Sequence, residues 1–148
     1  MKDILVSLVQ VRCGNDDETK RNDASSRLER YVRRAAGNGS SVICFPEAYL
    51  TGYMPKKAGE YAVGMNDPLL MKVSDAAGRY GIDILAGFME RSSCGMYITH
   101  GIFRPDGSAD FYRKTHLGES EKRYFSAGKE KTRLKLFTPV PFLLFQEN

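Results

Sequence analysis

Apolar stretches alternate with amphipathic stretches along this chain, and their order restricts its fold class. Residues 4–11 are nearly continuous aliphatic sequence, the pattern of a strand buried on both faces. Residues 41–45 and 82–88 repeat this pattern, and a segment with helical spacing of apolar residues precedes each of them. This alternation of strand and helix predicts an α/β fold in which helices cover one face of a mixed sheet.

Both predicted helices carry boundary signals. The first runs from cap candidates near residue 16 to the glycines after Ala36. The second begins with Asp67 as the cap and Pro68 in the first turn, and Gly81 ends it. The apolar side chains that we expect to face the sheet are Ala24, Leu28, Tyr31, Val32 and Ala35 in the first helix, and Leu70, Val73, Ala77 and Tyr80 in the second.

The remaining segments predict loops, a hairpin and short elements. Residues 48–64 are rich in Gly, Tyr and Pro and predict a long loop. The turn sequence Pro-Asp-Gly-Ser at 105–108 predicts a hairpin between strands at 97–103 and 109–113. A short helix is expected near 119–124, followed by strands at 134–137 and 142–145.

Composition narrows the class of protein. The chain has 148 residues with a formal charge of +4, which predicts a single domain over 1–148. No apolar run approaches the roughly 18–20 residues that span a bilayer, and the scattered charge does not indicate a nucleic-acid partner. Cys13, Cys44 and Cys94 form no CxxC pair, so we expect no disulfide framework or zinc site, and a cytoplasmic protein.

A carboxylate follows the second predicted strand in the sequence FPEAYLTGY, residues 45–53. Open α/β sheets commonly bind ligands beyond the carboxyl ends of their strands, which makes Glu47 a candidate general base. We expect Phe45 and Tyr49 to shield Glu47 partly from water and so raise its pKa. The alternative is that Glu47 merely caps a surface turn.

Lys114 directly follows the second strand of the predicted hairpin. An ammonium at a strand end is suited to stabilising an oxyanion, although a solvated lysine is the alternative. Glu121 lies seven residues further along, within reach of Lys114 if the intervening chain turns back.

These two segments together resemble one family. FPEAYLTGY and YRKTHLGESEKRYFSAG are similar to motifs of the nitrilase, or carbon–nitrogen hydrolase, superfamily, nearest its amidase-type branches. The resemblance extends over essentially the whole chain. It implies half of a four-layer α-β-β-α sandwich, no metal or organic cofactor, a small amide or nitrile as substrate, and a possible homo-oligomer.

The resemblance also implies roles for individual residues. Glu47 matches the general base, Lys114 the group that holds the oxyanion, and Glu121 a second carboxylate that orients Lys114 or water. Tyr53 is a candidate to line the acyl pocket, with a packing role as the alternative.

The family's nucleophilic cysteine has no counterpart at the expected position. Its motif, of the type LCYE, falls on residues 143–148 and places Phe145 at the nucleophile position. Cys44 is a poor substitute, since an extended chain would direct it away from Glu47, three residues later. We expect Cys44 to be a small core residue, and Cys13 and Cys94 to be structural or incidental.

Two interpretations of the chain stay open at this point. The first is a C-terminally truncated carbon–nitrogen hydrolase domain that keeps Glu47, Lys114 and Glu121 but shows negligible turnover alone. The second is a non-catalytic α/β binding or partner subunit that associates through an exposed sheet edge.

Overall fold

The fold is a sheet flanked by helices. A computed structural model describes residues 4–11 and 23–129, together with the backbone of 134–135 and 141–142. The strands are β1 (Val6–Leu8), β2 (Val42–Cys44), β3 (Asp83–Ser92), β4 (Gly95–Phe103), β5 (Ala109–Arg113), β6 (Leu134–Lys135) and β7 (Pro141–Phe142). The helices are α1 (Ala24–Gly37), α2 (Ala58–Tyr61) and α3 (Pro68–Tyr80), with 3-10 turns at Pro55–Lys57 and Glu121–Arg123.

The main sheet is mixed. Its five strands follow the order β1-β2-β3-β4-β5, with β1, β2 and β3 parallel and β4 and β5 antiparallel. The parallel strands are joined through α1 and α3, as expected for strand–helix–strand units. The predicted mixed α/β sheet is therefore confirmed.

Helices α1 and α3 cover one face of this sheet, which we call the helix face. The core there combines Leu28 and Val32 of α1 and Val73 of α3 with sheet residues such as Ile84 and Phe88. These side chains are almost completely buried, and each such burial is worth about 1.5–3 kcal/mol. The predicted helical stripes thus face the sheet as expected, with Tyr31 and Tyr80 only partly buried.

The signals predicted at the ends of α3 are present. The Asp67 side chain accepts a hydrogen bond from the Leu69 N–H at 2.8 Å, and Pro68 occupies the first turn. Gly81 adopts a left-handed φ of 64° and ends the helix. Helix α1 ends at Gly37, while the cap candidates near residue 16 lie outside the described residues.

The prediction that residues 4–11 form a strand buried on both faces is wrong. Strand β1 covers Val6–Leu8, and among the described strands its sole neighbour is β2. Leu5, Val6 and Leu8 are exposed, Leu8 to 79%. A continuous apolar run does not distinguish a central strand from an edge strand, because that distinction depends on which strands pair beside it.

Strand β3 is longer than the predicted segment 82–88. It continues to Ser92 and forms a long hairpin with β4, with Cys94 in the connecting turn. The charged residues Glu90 and Arg91 interrupt the apolar pattern, which is why the sequence predicts an earlier end. The second hairpin forms as predicted, with the Arg104 N–H donating to the Ser108 carbonyl at 3.0 Å.

Each element predicted after residue 113 has a counterpart among the described residues. The helix expected near 119–124 is the 3-10 turn Glu121–Arg123. β6 and β7 pair antiparallel, and the rest of the strands predicted at 134–137 and 142–145 lies outside the described residues. No helix of the described residues combines the length and apolar character needed to cross a bilayer.

Candidate active site

Glu47 belongs to the loop that follows β2 and runs alongside β3. The Phe45 N–H donates to the Leu85 carbonyl at 2.8 Å, and the Leu50 N–H donates to the Gly87 carbonyl at 3.0 Å. The Met89 N–H donates to the hydroxyl of Thr51 at 2.9 Å. The loop therefore occupies the position beside β3 that a strand would otherwise take, and Glu47 is held at the end of β2.

Close contact between this loop and β3 requires a glycine. A Cβ atom at Gly87 would lie 2.6 Å from the backbone nitrogen of Ala48 and 3.0 Å from the Cα of Glu47. Ala48 is buried with φ of 52°, a left-handed conformation that a residue with a Cβ rarely adopts. Such strained residues persist only where the surrounding structure imposes them, so the turn after Glu47 is tightly constrained.

Lys114 is held on the opposite side of the site by backbone bonds. Its N–H donates to the Ile98 carbonyl at 2.8 Å, and its own carbonyl accepts from the Gly128 N–H at 2.9 Å. Because successive strand residues alternate between faces, Arg113 lies on the helix face and Lys114 on the other face of the sheet.

The side chains of Glu47, Lys114 and Glu121 meet in one cluster. Lys114 Nζ lies 3.1 Å from Glu47 Oε2 and 3.0 Å from Glu121 Oε1. A single ammonium therefore bridges two carboxylates that are 74 residues apart in sequence (121 − 47). The side chains from the two separate motifs therefore lie close together, as expected.

Glu121 is the buried carboxylate of the cluster. Its side chain is 7% exposed and accepts hydrogen bonds from the Gly118 N–H at 2.7 Å, from Lys114 Nζ, and from the Tyr53 hydroxyl at 2.8 Å. Burial alone would raise the pKa of Glu121, but these donors outweigh it and hold the pKa below its ordinary value. Glu121 is consequently ionised at neutral pH.

Lys114 remains charged for a related reason. Burial favours a lower pKa, but the hydrogen bonds and charges of Glu121 and Glu47 outweigh it and raise the pKa of Lys114. The ammonium is thus a persistent hydrogen-bond donor, whereas a lysine that acted as a base would need a lowered pKa.

Tyr53 is part of this hydrogen-bond network. Its hydroxyl donates to Glu121 Oε1, the same oxygen that Lys114 contacts. Burial and this hydrogen bond raise the pKa of Tyr53 to about 12, so the phenol stays protonated. The predicted contact of Tyr53 with substrate stays a prediction.

The expectation that Phe45 and Tyr49 shield Glu47 is wrong. The two rings pack against each other at 4.8 Å and contribute to the helix-face core, where Phe45 also contacts Tyr31. Phe45 lies on the helix face because it is two residues beyond Ile43, which packs in the same core. The side chain of Glu47 is instead 47% exposed.

The described cysteines do not provide an evident nucleophile. Cys44 packs against Val42 and Leu85, and burial raises the pKa of its thiol, which disfavours the reactive thiolate. Its expected packing role is confirmed, but the extended path from Cys44 to Glu47 is wrong, because β2 ends at Cys44 and a turn follows. Cys94 is exposed in the turn between β3 and β4, and Cys13 and Phe145 lie outside the described residues.

The sequence patterns did not reveal two residues that support the site. Gly87 interrupts an apolar strand, which is a recognised sign of close backbone approach and was available as a signal. Thr51 is completely buried and bonded to Met89, and nothing in the local sequence distinguishes it from an ordinary loop threonine.

Comparison with known proteins identifies the family of this chain. A sequence profile described as carbon-nitrogen hydrolase matches residues 5–140. The chain belongs to the carbon–nitrogen hydrolase family. An (R)-stereoselective amidase from Pseudomonas sp. is 31% identical over 124 residues, which are 83% of this chain and 44% of the amidase.

Solved structures of the nitrilase superfamily share the fold. XC1258 from Xanthomonas campestris, a CN-hydrolase superfamily protein with an arsenic adduct in its active site, matches with a TM-score of 0.79 at 24% identity, over 91% of this chain and 50% of that one. An amidase from Nesterenkonia sp. in complex with butyramide matches with a TM-score of 0.71 at 20% identity, over 84% of this chain and 48% of that one. This carbon–nitrogen hydrolase chain thus spans about half the length of these relatives.

Proposed function

We propose that Glu47, Lys114 and Glu121 are the charged groups of a site that, in its complete form with a nucleophilic cysteine, hydrolyses non-peptide amide or nitrile C–N bonds. The observation that carries the proposal is the position of Lys114 Nζ, 3.1 Å from Glu47 and 3.0 Å from Glu121. This geometry supplies a carboxylate exposed enough to exchange protons and a donor for a developing oxyanion.

The proposed chemistry uses a thiol as nucleophile. Glu47 accepts the thiol proton while the sulfur attacks the amide carbon, and Lys114 donates a hydrogen bond to the oxyanion that forms. The C–N bond then breaks, the amine leaves with the proton held by Glu47, and a thioester remains. Water, deprotonated by Glu47, attacks the thioester and releases the acid, and the thiol recovers its proton.

Glu121 has a positioning role in this scheme. Its carboxylate is fixed by Gly118 and Tyr53 and in turn holds Lys114. It is also almost buried, which distinguishes it from the exposed Glu47. The two carboxylates therefore divide into one that transfers protons and one that orients the ammonium.

The thiol itself has to come from the position that Phe145 occupies in the family pattern. A phenyl ring has no nucleophilic atom, so we expect negligible turnover by this chain alone. The substrate class follows from relatives that include an amidase bound to butyramide, and we accordingly propose a small amide or nitrile, with no metal or organic cofactor.

The test is an assay of the purified chain and of Phe145→Cys with butyramide, other small amides and nitriles. We expect no hydrolysis by the unmodified chain, and in Phe145→Cys a thiol that acrylamide alkylates, detected by mass spectrometry. The matched control is Phe145→Cys combined with Glu47→Gln, in which alkylation at that thiol should slow because its base is lost. Robust hydrolysis by the unmodified chain that requires Glu47 but survives replacement of Cys13, Cys44 and Cys94 would contradict the mechanism.

A second candidate function is a non-catalytic partner subunit. It is favoured by the exposure of Leu5 and of Val6 and Leu8 in β1, at the edge of the described sheet. Size-exclusion chromatography with light scattering should then show a defined oligomer that Leu8→Lys dissociates. A monomer in both variants would remove this candidate.

A further inference from the structure

A second carboxylate–cation pair lies next to the candidate site, on the helix face of the sheet. Glu90 of β3 is completely buried. Arg113 donates from Nε to Glu90 Oε2 at 2.9 Å and from a terminal nitrogen to Oε1, and the Thr99 hydroxyl donates to Oε2 at 2.6 Å. Both carboxylate oxygens are therefore held, and the Tyr97 ring lies 4.0 Å from the guanidinium carbon.

This pair connects two strands that are not neighbours. Glu90 is on β3 and Arg113 is on β5, with β4 between them. On β4, Tyr97 lies opposite Glu90 and Thr99 lies opposite Arg113. The guanidinium fork fixes its partner in two directions at once, so the pair sets the position of the end of β5 relative to β3.

Those two strands also hold the groups of the candidate site. Met89, directly before Glu90, bonds to Thr51 in the loop that carries Glu47. Arg113 directly precedes Lys114, whose side chain extends to the other face. A displacement of Arg113 would therefore displace Lys114 relative to Glu47 and Glu121.

Stability alone does not account for this pair, whose carboxylate is completely buried while the Arg113 side chain is 38% exposed. Replacement of a buried ion pair by apolar residues of similar volume is often neutral or stabilising, because the charges are removed from water at a cost. We propose that Glu90 and Arg113 are positioning residues that hold Lys114 between its two carboxylates. The positioning role rests on the proposed function of Lys114, whereas the contacts between Glu90 and Arg113 are observed directly in the structure.

The test replaces both partners at once. Glu90→Leu with Arg113→Met removes one negative and one positive charge, so the net charge near the site is unchanged. In the folded variant, NMR titration of the Glu121 side-chain carboxyl carbon should show its pKa move up towards the ordinary value, as Lys114 withdraws. The Lys114→Met variant serves as the reference, because it shows how far the pKa of Glu121 moves when the ammonium is lost completely.

The control is an equivalent pair at the other end of the same hairpin. Arg104 on the turn side of β4 pairs with Asp110 of β5. Asp110→Asn breaks this pair and should leave the pKa of Glu121 unchanged. An unchanged pKa in the folded double variant as well would overturn the proposal and leave the Glu90–Arg113 pair a purely structural contact.

Two milder variants test the same positioning role if the double variant Glu90→Leu with Arg113→Met does not fold. Thr99→Val removes one hydrogen bond to Glu90 without a change of charge, and Arg113→Lys keeps the charge but loses the fork. Each should move the pKa of Glu121 in the same direction by less, and no movement in either counts against the proposal. Alkylation of Phe145→Cys that does not slow with Glu47→Gln would contradict the proposed function, whereas these titrations need neither alkylation nor turnover.

Discussion

Two clusters of carboxylates and cations lie on opposite faces of the same sheet, joined at the neighbouring residues Arg113 and Lys114. On the helix face, Glu90 is fully buried and its oxygens are bonded by a planar guanidinium and a hydroxyl. On the other face, one ammonium is shared between Glu121 and Glu47, and the side chain of Glu47 is half exposed. The first arrangement suits a fixed geometry, whereas the second leaves the ammonium and one carboxylate partly exposed to solvent.

The largest effect is expected from breaking the buried cluster on one side only. Arg113→Ala leaves the completely buried Glu90 carboxylate without its cation, and the loss of one member of a buried pair costs about 3–5 kcal/mol of unfolding free energy. Urea denaturation measures this cost. The matched control is Arg79→Ala, since Arg79 pairs with Glu29 on the surface, where an exposed ion pair contributes little. Equal losses in both variants would show that the buried cluster contributes no more than a surface pair.

A smaller loss is expected at the backbone contact that supports the exposed cluster. Gly87→Ala forces a Cβ to within 2.6 Å of the Ala48 nitrogen, and overpacking of this kind costs about 1–3 kcal/mol. The control is Gly59→Ala, where nothing lies within 4 Å of the added atom. The Gly87 variant should also lose the Glu47–Lys114 contact, visible as changed NMR shifts of Glu47, while the control keeps it.

The acid dependence of stability should report on Glu121. Its pKa is lower in the folded chain than the ordinary value of 4.5, so its contribution is present above pH 4.5 and is lost as the pH falls through the folded-state pKa. Glu121→Gln should therefore flatten this part of the profile and cost about 1 kcal/mol at neutral pH through weakened hydrogen bonds. Denaturation at a series of pH values tests this, and an unchanged acid slope would show that Glu121 is not a contributor.

The smallest effect is expected for Tyr53→Phe, which removes one hydrogen bond to Glu121. The loss of unfolding free energy should be about 0.5 kcal/mol, the lower end of the range for one hydrogen bond, because Tyr53 is 37% exposed. Ultraviolet titration should lose the phenol whose pKa is about 12. The folded pKa of Tyr53 is raised, so its contribution is present below the ordinary value of 10 and is lost as the pH rises through about 12. Tyr112→Phe, which removes a contact with Thr115, should leave that high-pH titration in place.

The residues that could be predicted are those whose signal is local. The ends of α3 follow from Asp67, Pro68 and Gly81, because caps and left-handed glycines act within one helical turn. The second hairpin follows from its turn sequence for the same reason. Glu47, Lys114 and Glu121 were found through motifs, each of which is a short stretch of sequence.

The failures concern residues whose surroundings come from distant parts of the chain. The end of β3 was misplaced because Glu90 resembles a surface residue until Arg113 is brought to it across β4. Phe45 and Tyr49 were expected beside Glu47, but both rings pack in the helix-face core, while the Glu47 side chain meets Lys114 on the other face. The burial of β1 was overestimated because its position at the sheet edge is a property of strand order.

The order of strands and helices, the family and the candidate acidic and basic residues could be derived from the sequence, since they depend on periodicity and short motifs. The contacts of Lys114 with Glu47 and Glu121, and the position of Glu90 and Arg113 on the opposite face of the sheet, became evident in the folded chain alone. Strand pairing determines which side chains face each other, and it joins residues that are far apart in the chain.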